Sequence, residues 1–185
     1  MLPSLPFLVV ALALATLAAW LDARSGRIPN WLTLPTLVLA PLAHALLARS
    51  QHSTFGLPAP LFAAGWSLGA ALVAGLVPYL LFKLGLAGGG DAKLLAALGA
   101  LLLPEAALAA EFSAFAAAAF FVPARLAYRG TLFGTLGESL SFVTQGLRRR
   151  SERVSAPPAF TERLRLGPFI LLGTLLAPFV ARVPT

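Results

Sequence analysis

Gly88-Gly89-Gly90-Asp91-Ala92-Lys93-Leu94 is a short polar interruption between apolar runs at residues 59–84 and 92–103, and it sets a carboxylate directly after three glycines. Only one other aspartate occurs in the chain, Asp22, and it too stands where an apolar run gives way to a basic, polar stretch. Acids at two such boundaries can meet at one depth of a membrane, so the stretch reads as the edge of a bundle of membrane-spanning helices.

Composition agrees. Of 185 residues, 58% are hydrophobic and 11% charged, with a mean hydropathy of +0.84, whereas about a quarter of a soluble domain is charged. The solvent for most of this chain is lipid. Its length suits a single domain, residues 1–185. Without cysteine there is no disulfide, thiolate zinc site or thiol nucleophile, and the isolated His44 and His52 offer no metal-ligand cluster. No cofactor or metal is therefore expected. The net charge of +7 is sorted by membrane side instead of forming one patch, which argues for membrane lipid and against nucleic acid as a partner.

About 20 apolar residues in a helix cross a bilayer. Six runs come near this, at residues 4–21, 29–48, 59–84, 92–103, 106–127 and 167–183, giving an all-α fold with six transmembrane helices. The second opens on Pro29, whose ring suits a first helical turn. The fourth is short, follows the glycine-rich loop, and crosses only if protein buries its flanks or the bilayer thins. Arg24, Arg27, Lys83, Lys93, Arg125, Arg129, Arg148, Arg149, Arg150, Arg153, Arg163 and Arg165 fall on one side, against Arg49 and Arg182 on the other. The positive-inside rule makes the first side cytoplasmic and both termini periplasmic. No basic residue precedes Arg24, so the first run reads as a retained helix and not as a secretory signal.

The one long cytoplasmic loop covers about residues 128–166. Within it Leu132, Leu136, Leu140, Val143 and Leu147 recur at helical spacing, which predicts a surface-lying amphipathic helix. Arg148 to Arg150 read as its positive-inside flank, and Pro157-Pro158 as a linker.

An ionised acid near lipid is costly unless paired or solvated, which makes each intramembrane acid a functional candidate. Asp91 sits where an N-cap belongs, so capping and chemistry both suit it. Gly88, Gly89 and Gly90 leave bare backbone beside it, either a flexible loop or a seat for an extended peptide. Asp22 ends the first helix, where the dipole disfavours negative charge; Arg24 or Arg27 is a local partner of small value. Two carboxyls held close do not both ionise easily, so one keeps a proton while the other can activate water. Lys93 either biases such a pair or snorkels, and Glu111, inside the fifth run, reads as a neutral hydrogen-bonded group.

These motifs resemble those of the type IV prepilin peptidases. In that family an aspartate precedes an Ile-Pro-Asn element, as Asp22 precedes Ile28-Pro29-Asn30, and a second closes Gly-x-Gly-Asp before x-Lys-Leu, as Gly88, Gly90, Asp91, Lys93 and Leu94 do. Gly167-Pro168-Phe169 is similar to a further family element. The resemblance implies an aspartyl endopeptidase of the bacterial inner membrane, facing the cytoplasm, with Asp22 and Asp91 as catalytic pair. Its substrates would be prepilins or pseudopilins, cut at a basic leader for pilus assembly or secretion. The absence of cysteine and of an insert before the second helix looks like the short, peptidase-only type associated with Flp or tight-adherence pili. A proton- or cation-coupled transporter and a noncatalytic secretion component are the rival readings; a transporter favours repeated halves or paired broken helices. No feature of the sequence sets an oligomeric state.

Overall fold

Each apolar run begins or ends at a residue that suits a helix terminus. The computed structural model describes residues 4–50, 52, 56–84, 87–128, 130 and 165–181, and its helices are α1 (Leu5–Ser25), α2 (Asn30–Leu47), α3 (Ala59–Lys83), α4 (Gly89–Tyr128) and α5 (Gly167–Val180). α1 stops at Gly26, which takes the left-handed conformation that glycine adopts without steric cost (φ 64°, ψ 21°) and returns its N–H to the Asp22 carbonyl. Pro29 and Pro58 precede the first turns of α2 and α3, and Pro168 lies in the first turn of α5. α1 to α4 are long and apolar enough to cross a membrane, while α5 is apolar but only 14 residues long. The expected amphipathic helix at residues 132–147 and the Pro157-Pro158 linker lie outside the described residues.

Packing is the inverse of a soluble core. Alanine fills much of the interior, with Ala11, Ala15, Ala18, Ala70, Ala97 and Ala100 inaccessible, while Leu72 and Phe120 are 76% and 81% exposed. Large apolar side chains facing outward belong against lipid, and small ones inside let the backbones approach. A Cβ on Gly99 would lie 2.6 Å from the Ala70 carbonyl oxygen, and one on Gly173 would run into the Ala110 carbonyl. These contacts bring α3 and α5 close against α4, the central element of this all-α membrane protein.

The two runs expected at 92–103 and 106–127 form two helical arms of α4, which join at a kink of one non-helical residue. Leu103 has φ 64° and ψ 169°, a region that is essentially glycine's and costs about 1–3 kcal/mol. Pro104 explains the break: it has no N–H for the Ala100 carbonyl, and its ring drives the preceding residue out of the helical region. Helical geometry then resumes at once, so no separate loop forms. The orphaned carbonyls find side chains instead. Ser67 Oγ donates to Ala100 O at 2.7 Å, and His44 Nε2 lies 3.2 Å from Leu101 O. Since a carbonyl only accepts, Nε2 carries the His44 proton, and the ring stacks on Phe7 with centroids 3.8 Å apart.

The break also reverses the chain. Residues 89–102 run antiparallel to α3, because a Cβ on Gly75 would meet Ala96 while Ser67, earlier in α3, bonds Ala100 further along. Residues 104–128 run antiparallel to α5, with Gly173 against Ala110 and Ala114 and the Phe169 ring 5.5 Å from Phe121. Both ends of α4 therefore lie at the end of the bundle where α5 begins.

Candidate active site

Asp22 lies in the last turn of α1, inside the helix and not after it, because the chain stays helical until Gly26. It is 6% exposed. Its own helix dipole is unfavourable there, but the side chain reaches another helix: Gly167 N–H, at the start of α5, donates to Asp22 Oδ2 at 3.0 Å. A Cβ at Gly167 would lie 2.9 Å from both Asp22 Cβ and Oδ2. Arg165 Nη1 donates to the Ala23 carbonyl, and its charge acts on the Asp22 carboxyl. Neither expected local partner takes that role: Arg24 instead lies over the Trp20 ring at 5.4 Å.

Asp91, 7% exposed, is not the N-cap of its helix. The helix starts at Gly89, which puts Asp91 in the third position, and Gly88 N–H donates to its Oδ2 at 3.1 Å. This is the reciprocal half of a capping box, in which a third-position acid reaches back to the capping residue. A Cβ on Gly88 would stand 2.8 Å from that oxygen. Capping and availability for chemistry are thus compatible, since one oxygen is engaged by Gly88.

Asp22 and Asp91, 69 positions apart in the sequence, come near enough across the bundle for the charge of one to act on the other. The loop between α1 and α2 sets this approach. Ile28 packs where Gly90 has no side chain, and a Cβ there would come within 3.0 Å of Ile28 Cβ. Lys93 Nζ donates to Asn30 Oδ1 at 2.8 Å, so Lys93 pairs with the Pro29-Asn30 turn. Pro29 holds extended geometry ahead of α2 and aims Asn30 across at α4.

The glycines are filled from within the chain: Gly88 by Asp91, Gly89 by Phe82 and Gly90 by Ile28. The side-chain directions of these glycines are thus taken by the protein's own atoms, while the backbone at Gly88 is exposed. An apolar groove of about 360 Å³ is bordered by Leu81, Ala87, Phe115, Val122 and Leu166, the last of these adjoining Gly167 in sequence. Glu111 is buried as its sequence position suggested, but its Oε2 has no hydrogen-bond partner among the described residues. Sequence alone gives Gly167 only as part of a Gly-Pro-Phe element and Arg165 only as a cytoplasmic-side cation; their contacts to the Asp22 turn arise from the fold.

Fold and site together define a helical membrane protein that carries a pair of buried aspartates to one end of its bundle. Residues 9–123 match the type IV leader peptidase family, and the chain belongs to that family. The match takes in both aspartates and the loop between α1 and α2. No curated protein and no solved structure matches the chain.

Proposed function

We propose that this family member is an aspartyl endopeptidase that removes the basic leader of prepilins or pseudopilins at the cytoplasmic face of the bacterial inner membrane. The observation that carries the reading is the convergence of two buried carboxyls, from α1 and α4, near enough for their charges to interact and each held by one backbone N–H. One carboxylate takes a proton from water as the water oxygen bonds to the scissile carbonyl carbon. The other, protonated, donates to the carbonyl oxygen; collapse of the tetrahedral adduct breaks the C–N bond, and the departing amine takes up a proton.

In this reading the two arms of α4 count as separate crossings, making six with the other helices and leaving both termini on the outer side. The apolar groove beside Ala87 and Leu166 suits the apolar segment that follows a prepilin leader, whose cleavage site then lies next to the pair. The cysteine-free chain fits the short, peptidase-only type, without the cysteine-bearing methyltransferase insert that larger members of the family carry before the second helix. Co-expression with a candidate prepilin tests the proposal. Wild type should shorten the prepilin, whereas Asp22→Asn and Asp91→Asn, present in the membrane at normal levels, should leave the leader attached; normal cleavage by either variant would sink it.

A further inference from the structure

The start of α5 makes two contacts to the turn that carries Asp22, and neither is needed to form a helix. Gly167 donates its N–H to Oδ2 at 3.0 Å, and its missing side chain leaves room for the carboxyl, since a Cβ would lie 2.9 Å from Oδ2 and 3.1 Å from Ala19 Cα. Arg165 bonds the carbonyl of Ala23, the next residue along α1. Asp91, by contrast, is held within its own helix start by Gly88. One acid is thus locally fixed, and the other depends on a segment 145 residues away.

We propose that Arg165 and Gly167 are positioning residues of the active centre, which together hold the Asp22 carboxyl in line with Asp91. Gly167 fixes one carboxyl oxygen, and Arg165 pins the last turn of α1 and places a positive charge beside it. The inference rests on the catalytic reading of the pair. A misplacement on the order of 1 Å at a reacting group costs about a hundredfold in rate, so the contacts act through turnover more than through substrate binding.

The test uses the full-length protein in lipid vesicles with a prepilin, comparing wild type, Gly167→Ala, Arg165→Gln, Arg165→Lys and Asp22→Asn. Gly167→Ala should lower kcat by about a hundredfold, with some loss of stability because its Cβ crowds Asp22 and Ala19; Arg165→Gln should lower kcat by about tenfold with an unchanged thermal melt, and both should keep KM within about twofold of wild type. Arg165→Lys should recover most of the Arg165→Gln loss. If Gly167→Ala fails to fold, the exposed Arg165 decides alone. Wild-type kcat in Arg165→Gln, or a raised KM with kcat intact, overturns the inference. Inactive Asp22→Asn beside fully active Arg165 and Gly167 variants would overturn this inference alone, whereas active Asp22→Asn would overturn the catalytic reading beneath it.

Discussion

At Gly90 one hydrogen stands where a methyl group would press on Ile28, with Ile28 N and O each 3.4 Å from that position. The sequence marks this glycine as unusual but leaves its reason open between substrate access and packing. The structure favours packing, because the side-chain space is already taken by the loop that follows Asp22. Gly90→Ala should therefore lower stability by about 1–3 kcal/mol along with activity, measured as a thermal melt beside leader cleavage. Lost cleavage with an unchanged melt would return the position to substrate contact. The aspartates themselves were legible because each sits at an apolar boundary; the contact between Asp22 and Gly167 was not, since nothing local relates residues so far apart in the chain.

α4 is where local sequence and observed geometry part. Pro104 announces a break, yet sequence alone does not reveal that the helix resumes after one residue or that Leu103 takes a glycine-like conformation. The reason is tertiary: Ser67 and His44 satisfy the carbonyls of Ala100 and Leu101, so the strained reversal is stabilised by α2 and α3. Removing the Leu103 side chain in two ways isolates the strain. Leu103→Gly should melt higher than Leu103→Ala by about 1 kcal/mol or more, the reverse of the usual order in helices. A glycine variant that is the less stable of the two would contradict the assigned strain.

On the scale of the molecule, composition and helical runs were enough to give an all-α membrane protein, because lipid selects for apolar surface at every turn. What they did not give is the hub arrangement, with α4 folded back on itself between α3 and α5 so that the turns bearing Asp22 and Asp91 share one end. That arrangement depends on glycine and alanine contacts whose partners cannot be read from spacing. Its orientation is open to test in a chain free of cysteine. A cysteine in place of Ser50 should react with a membrane-impermeant thiol reagent from outside the cell, and one replacing Gly130 only after the inner membrane is permeabilised; the opposite pattern would invert the proposed topology.

The central claim is that Asp22 and Asp91 act as one catalytic unit. Rate constants for leader removal by the purified protein in vesicles test it most directly, measured for wild type, Asp22→Asn, Asp91→Asn and the double variant. Residues that work as a unit are grossly non-additive, so each single change should cost about a thousandfold or more and the double variant should be no slower than either. A single variant within about tenfold of wild type, or losses that multiply in the double, would contradict the account.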